Sequence, residues 1–156
     1  MHDEPLNKLD PSYRTLMIIG GVLTTLPLLI GAGVLIFAAD DVVPPAIPAI
    51  AVLIAAVVLI FYLPFRRYRS RGYHMGEDRL RVVKGVLWHS DSVVPFSRVQ
   101  HLDVEQQPLE RLLGLARLVL HTAGTHNSSV VLPGLRHETA VELREAIRQH
   151  VKRESL

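Results

Sequence analysis

Two long apolar runs dominate the first part of the chain. Residues 16–39 and residues 42–65 contain no Asp, Glu, Lys, Arg or His, and only Asp40 and Asp41 separate the two runs. A bilayer hydrocarbon core about 30 Å thick requires roughly 20 helical residues to cross it. Each run is longer than this and can span with some tilt, so the pattern predicts a transmembrane hairpin of two helices.

A secretory signal peptide is the alternative interpretation of the first run. Such a peptide has a basic flank, roughly 7–15 apolar residues and a small-residue cleavage site. This run is longer, its flank contains Asp3, Glu4 and Asp10 as well as basic residues, and a second run follows at once. We therefore expect both runs to persist in the mature protein.

Basic residues flank the two runs on one side of the predicted hairpin. Lys8 and Arg14 precede the first run, and four arginines follow the second: Arg66, Arg67, Arg69 and Arg71. Lys and Arg beside a span are retained in the cytoplasm. We expect a multi-pass plasma-membrane protein with both termini cytoplasmic, in which residues 1–15 form an N-terminal segment and residues 66–71 contact the membrane surface.

Small residues in both runs favour close helix packing. Ala51 and Ala55, for example, have the spacing of a small-xxx-small pattern. The pattern serves packing within one hairpin and also association between two copies. A homo-oligomer therefore stays among the expected arrangements.

After residue 71 the continuous apolar runs give way to short alternating stretches bounded by turn residues, which are typical of strands. Strands are predicted at residues 68–75, 79–84, 86–94, 99–106, 117–122 and 129–132, with Lys84-Gly85 as a two-residue hairpin connection. Pro133-Gly134 is expected to close the strand set, and a short helical segment is predicted at residues 108–113.

The last part of the chain changes to a helical period. Ala140, Leu143, Ile147 and Val151 recur at spacings of three and four within residues 138–152. This predicts a terminal helix that packs one face on the strands. The fold class is α+β: a two-helix transmembrane hairpin followed by a bent antiparallel sheet or open barrel, residues 72–156, with a helical cap.

One block of sequence carries a resemblance to a known family. Residues 94–115 read VPFSRVQHLDVEQQPLERLLGL and residues 118–124 read LVLHTAG. This block resembles the signature of bacterial membrane proteins with PH-like domains, the YdbS-like group, which also place two spanning helices before the domain. The resemblance implies two roughly orthogonal sheets capped by a helix at the inner face of the plasma membrane. It also implies a membrane-protein partner, such as a larger protein with several PH-like domains.

Binding of a protein partner is the leading functional expectation, through an exposed strand edge or a groove beside the terminal helix. Recognition of anionic lipid headgroups is the alternative. Arg79 and Arg81 resemble a headgroup-binding strand of eukaryotic PH domains, and both are candidate lipid or partner contacts. Glu77 and Asp78 in the adjoining turn would repel a phosphate.

Catalysis is not expected from this sequence. The chain has eight histidines and no cysteine, and the histidines lack the spacing of metal ligands. No serine lies in a nucleophile elbow. We expect exposed, scattered histidines, no cofactor, no metal site and no enzymatic activity.

Nucleic acid is not an expected partner either. The sequence pI is about 9.2, but from Gly72 onward 11 basic residues face 10 acidic ones, so the soluble part lacks a basic footprint. Tyr73, Trp88 and Phe96 are expected in the core or at an interface rather than in a recognition patch.

Overall fold

The computed structural model describes residues 5–38, 44–86, 89–123 and 129–154. The chain forms two compact units. One is Arg14–Arg66, which we call the helical unit. The other consists of the described residues up to Tyr13 and from Arg67 onward, and we call it the sheet unit.

The predicted spans form long helices. Helix α1 is Ser12–Ala38, and a second continuous helix, Ala46–Arg69, consists of α2 (Ala46–Val57), a π-helical stretch (Val58–Tyr62) and α3 (Leu63–Arg69). Both are long and apolar enough to cross a membrane, and their large apolar side chains are mostly exposed. Such apolar surface favours burial in lipid.

The two helices of the helical unit pack against each other as a hairpin. A Cβ atom on Gly21 would lie 3.4 Å from the carbonyl oxygen of Leu59, so the backbones approach closely there. The guanidinium of Arg14 lies 5.8 Å from the ring centroid of Phe65. Ala56 is buried, whereas Ala51 and Ala55 are exposed. The expected acidic turn at residues 40–41 lies outside the described residues.

The sheet unit contains two antiparallel three-stranded sheets. The first has the order β1 (Gly72–Met75), β2 (Arg79–Lys84) and β3 (Ser90–Pro95). The second has the order β4 (Val99–Glu105), β5 (Leu115–Thr122) and β6 (Ser129–Arg136).

Three helical segments connect or cap these sheets. A 3₁₀ turn, Phe96–Arg98, joins β3 to β4, and α4 (Pro108–Leu112) joins β4 to β5. Helix α5 (His137–Glu154) follows β6. The α+β prediction of a helical hairpin followed by two sheets and a terminal helix is confirmed.

The core of the sheet unit lies between the sheets and α5. Leu80, Phe96, Leu118 and Leu120 are fully buried, and Ile147 of α5 is buried with them. The predicted capping helix is therefore confirmed. Tyr73 is also buried, so two of the three aromatic residues expected in the core or an interface are core residues. The third, Trp88, lies outside the described residues.

Two predictions around the first sheet are wrong. Tyr68 lies in α3, because the helix continues through Arg69 before β1 begins. The register pairs Lys84 with Ser90, so residues 85–89 connect β2 to β3 instead of a two-residue turn. Gly85 was a plausible hairpin residue, but the pairing of the flanking strands determines loop length.

The predicted end of the last strand is also wrong. Strand β6 continues through Pro133 and Gly134 to Arg136. Since β6 is the terminal strand of its sheet, the missing amide hydrogen of Pro133 need not break the ladder. Gly134 accommodates a positive φ of 72°. Of the predicted loop at residues 123–127, only Ala123 is described.

Candidate functional site

The N-terminal residues before α1 form part of the sheet unit. Asn7 pairs antiparallel with Tyr73 of β1 through two backbone hydrogen bonds, of 2.7 and 3.1 Å. The backbone amide of Asp10 donates to the carbonyl oxygen of Gly134 in β6 at 2.9 Å. The segment therefore contacts a terminal strand of each sheet, whereas the sequence pattern indicated only a separate stretch at residues 1–15.

Tyr13 anchors this segment in the sheet unit. Its side chain is buried against Gly134, where an added Cβ atom would lie 2.6 Å from the Tyr13 Cγ. The Nη1 of Arg71 donates a 2.6 Å hydrogen bond to the Tyr13 hydroxyl. Arg71, predicted to contact the membrane surface, is thus partly buried and bonded within the unit.

Polar contacts hold the same segment at two further points. The hydroxyl of Tyr68 donates to the carbonyl oxygen of Leu9 at 2.8 Å. The Nε of Arg136 donates to the Asp10 carboxylate at 3.0 Å. Burial alone would raise the pKa of Asp10, but hydrogen bonds from Ser12 and Arg136 lower it overall below its ordinary value.

The block that carries the family resemblance has a structural role around α4. Glu110 is only 1% exposed; it accepts a 2.8 Å hydrogen bond from the Gln107 amide and a 2.7 Å hydrogen bond from Nη2 of Arg117. A buried carboxylate requires such partners. Gly114, at φ 67°, follows the helix. These residues build the β4–α4–β5 corner.

The other arginines singled out from the sequence lie in different surroundings. Arg66, Arg67 and Arg69 are exposed, and Arg66 donates to the Tyr62 hydroxyl at 3.1 Å. Arg79 pairs with Asp78 at 3.1 Å.

Arg81 makes the tighter of the two pairs on β2. Its Nη2 lies 2.6 Å from the Asp91 carboxylate, to which its Nε also donates. This hydrogen bonding lowers the pKa of Asp91. Two carboxylates therefore already neutralise much of the charge that Arg79 and Arg81 would offer a phosphate.

A groove between β4 and α5 is a candidate binding site among the described residues. Strand β4 is a terminal strand of its sheet, and α5 packs beside it. The groove has a volume of about 390 Å³ and is lined by Val99, Gln100, His101, Leu102, Arg144, Arg148 and Val151. Its lining combines apolar side chains with two arginines one helical turn apart.

The register at the groove is irregular. Val99 pairs with Thr122 and His101 with His121, which leaves Gln100 as an extra residue on β4. A bulge of this kind bends the strand and redirects its side chains. The sequence pattern gave the alternation of β4 but no sign of this bulge.

Two histidines expected to be scattered lie together beside the groove. The Nε2 atoms of His101 and His121 lie 2.9 and 3.3 Å from the two carboxylate oxygens of Asp103. Cross-strand pairing of His101 with His121 causes this proximity. Within the described ranges, no group of three or more His, Asp or Glu side chains is arranged to hold a metal ion.

Comparisons with known proteins agree with this architecture. A family model described as "Bacterial PH domain" matches residues 16–151. The transmembrane protein YdbS of Bacillus subtilis (strain 168) is 33% identical over 95 residues, which cover 61% of this chain. The match spans 58% of that relative's length, which is less than two thirds of it. No solved structure matches the chain.

The family match covers both the helical unit and the sheet unit, and the relative carries the word transmembrane in its name. The two apolar helices have the length and composition that this name requires. The chain therefore belongs to the bacterial PH domain family, as a YdbS-like membrane protein.

Proposed function

We propose that this protein is a non-enzymatic, membrane-anchored module whose β4–α5 groove binds an extended, acidic segment of a membrane-protein partner. The observation that carries the proposal is the terminal strand β4 lying beside α5 with Arg144 and Arg148 on the groove. The module acts as a scaffold or complex subunit at the inner face of the plasma membrane.

Backbone chemistry supports an extended ligand. A terminal strand presents amide and carbonyl groups along its outer side, and an added strand satisfies them. Leu102 and Val151, which are partly exposed, supply apolar surface for side chains of such a strand. The volume of about 390 Å³ suits a few side chains rather than a folded domain.

Charge supports an acidic ligand. Arg144 and Arg148 line the groove, and Arg144 has Glu145 as a 2.9 Å partner. A carboxylate on the ligand would gain charge-assisted hydrogen bonds from the guanidinium groups. Arg79 and Arg81 also have carboxylate partners, as Arg144 does, so the charge argument for the groove rests mainly on Arg148.

The cytoplasmic location rests on charge and connectivity. Residues before Arg14 and after Arg66 belong to one compact unit, so two intervening spans must start and end on the same side of the membrane. Basic residues flank both ends, which favours the cytoplasmic side.

Single cysteines at Asp41 and Ser129 test this location. An impermeant thiol reagent added to intact cells should label the cysteine at residue 41 and not the one at residue 129.

The family resemblance supports one kind of partner. Short YdbS-like proteins resemble one half of a paired system, so a larger membrane protein with several PH-like domains is the partner we propose. The match covers only 58% of the length of YdbS, so this partner is our proposal for the present chain and not a property taken over from that relative.

Site-specific photo-crosslinking in native membranes tests the groove. A photoreactive residue at Gln100 lies in the groove, whereas one at Glu138, exposed in the first turn of α5, serves as the control. The Gln100 probe should crosslink one membrane protein, and the crosslinked peptide should be acidic and extended. Arg148→Glu should strongly reduce this adduct.

Arg79→Glu is the matched charge control, because it makes the same change outside the groove. It should leave the Gln100 adduct unchanged. Equal adducts from the Gln100 and Glu138 probes, or an adduct insensitive to Arg148→Glu, would contradict the groove as the binding site.

A further inference from the structure

Two histidines and one aspartate form a polar cluster at the edge of the groove. The Nε2 atoms of His101 and His121 lie 2.9 and 3.3 Å from the two carboxylate oxygens of Asp103. The centroids of the two imidazole rings are 6.1 Å apart. One carboxylate therefore serves two imidazoles, and we call these three residues the histidine cluster.

The pairing of β4 with β5 places these side chains together. His101 and His121 are register partners on the two strands. Asp103 lies two residues after His101 on β4, and residues two apart on a strand point to the same face. The cluster is thus positioned by the ladder of the sheet.

His101 connects the cluster to the groove. Among the described residues, the groove lining includes His101 but neither His121 nor Asp103. The same lining includes Arg144 and Arg148 of α5, and arginine carries its charge at any physiological pH. Electrostatic interactions extend over about 8 Å at physiological ionic strength, so a charge change in the cluster acts on a ligand in the groove.

The elements packed around the cluster supply further ionisable side chains. Glu105 of β4 is the register partner of Arg117 on β5. On α5, Glu145 pairs with Arg144 at 2.9 Å. His150 of α5 packs against a buried aromatic ring, with 5.6 Å between the centroids. Of these residues, His150 is the one of a type that titrates near neutral pH.

Protonation reverses the net charge of the cluster. A carboxylate ordinarily stays ionised between about pH 5 and pH 8, whereas histidine ordinarily changes charge there. With both imidazoles neutral, the cluster carries the negative charge of Asp103, and with both protonated it carries a net positive charge. Neutral and protonated imidazoles can both donate from Nε2, so the contacts persist while the charge changes.

We propose that the histidine cluster makes binding in the β4–α5 groove dependent on pH, with protonation of His101 and His121 strengthening the binding of an acidic segment. Because it concerns the same groove, this regulation rests on the function proposed above. At the lower pH the cluster adds positive charge to that of Arg148. At the higher pH the carboxylate of Asp103 repels the carboxylates of the ligand.

Photo-crosslinking from Gln100 at two pH values tests this control. The native membranes are opened by freezing and thawing, so that both faces meet the buffer. From about pH 8 to about pH 5.5 the adduct should increase about fivefold, because the cluster gains positive charge beside the groove. Circular dichroism of the full-length chain in detergent micelles should be the same at both pH values.

His121→Gln is the sharpest variant, because His121 does not line the groove and the surroundings of the probe stay the same. It should reduce the increase to about twofold, and His101→Gln combined with it should abolish the increase. His121→Lys places a permanent positive charge beside Asp103 and should raise the adduct at the higher pH. His137→Gln, at an exposed position at the start of α5 and outside the groove, is the matched control and should behave as the wild type.

Each contrary result has a distinct meaning. Equal adducts at the two pH values in the wild type would overturn the pH control and leave the groove as the binding site. An increase that survives in the double histidine variant would assign the dependence to His150 or to the partner, and would also overturn the role of the cluster. The absence of an adduct at both pH values would remove the proposed function, and this inference with it.

Discussion

The strand edges of the sheet unit differ in what lies beside them. In the chain's own N-terminal segment, Asn7 forms backbone hydrogen bonds with β1 and Asp10 forms one with β6. At β4, helix α5 packs beside the strand, and residues of both elements line a groove of about 390 Å³. An edge covered by its own chain contributes to folding, whereas the edge beside the groove is where we propose that a partner binds.

This difference predicts a separation between stability and binding. Substitutions on the covered side should lower the free energy of unfolding, and substitutions on the groove should change binding alone. All unfolding measurements use the full-length chain in detergent micelles, followed by circular dichroism.

The largest effect is expected at Tyr13. Tyr13→Ala removes a buried aromatic ring from Gly134 and should cost about 3 kcal/mol. Tyr13→Phe keeps the ring and loses only the hydrogen bond from Arg71, at a cost of about 1 kcal/mol. Equal costs for the two variants would show that the ring does not pack as described.

Gly134→Ala is expected to cost about 2 kcal/mol, because it adds a Cβ at a positive φ and against the Tyr13 ring. Gly114→Ala is the control: φ is again positive, but nothing lies within 4 Å of the added Cβ, so about 1 kcal/mol is expected. In a Tyr13→Ala background the difference between the two glycine substitutions should shrink, since only the Cβ of residue 13, at 3.1 Å, still meets the added atom. If the cost of Gly134→Ala exceeds that of Gly114→Ala by the same amount in both backgrounds, Tyr13 is not the cause of the excess.

A smaller, pH-dependent effect is expected at Asp10. Its pKa is lowered from 3.8 in the folded protein, so the ionised carboxylate stabilises the fold above that pH. This contribution, less than about 1 kcal/mol, is lost as the pH falls through the folded-state pKa. Melting temperatures of the wild type and Asp10→Asn should differ at neutral pH and converge in acid. A difference that persists in acid would contradict the role of the Arg136 pair.

The smallest effect on stability is expected at the groove. The double variant Arg144→Glu and Arg148→Glu should change the free energy of unfolding by less than about 1 kcal/mol, since Arg148 is exposed and the partly buried Arg144 makes only a near-surface pair with its neighbour Glu145. The same variant should lose the crosslink from Gln100. A cost as large as that of Gly134→Ala would make these arginines structural and remove the contrast between the two edges.

The sequence by itself determined the elements whose signal is local. The apolar runs at residues 16–39 and 42–65 predict two helices, because lipid offers no partner for charged groups; the helices themselves are Ser12–Ala38 and Ala46–Arg69. Strands β2 and β4 follow from alternation, and α5 from spacings of three and four, since side-chain direction repeats with the backbone period. The resemblance carried by residues 94–115 and 118–124 indicated the order of spanning helices followed by a PH-like domain.

The ends of the strands were harder to predict from the sequence, because hydrogen bonds with the neighbouring strand determine where each strand ends. Pro133 looks like a terminator, yet β6 continues past it at the edge of its sheet. Lys84-Gly85 looks like a tight hairpin, yet the register with Ser90 leaves a longer connection. In both cases hydrogen bonds to another strand outweighed the local residue preference.

Only the tertiary structure decided which distant residues meet. Arg71 reads in the sequence as one of four juxtamembrane arginines, but it bonds Tyr13, 58 positions earlier. Asn7 shows no strand pattern, but it pairs with Tyr73, and the groove exists because β4 and α5 come together. Such contacts depend on burial and hydrogen bonding between segments far apart in the chain, and a one-dimensional pattern does not contain that information.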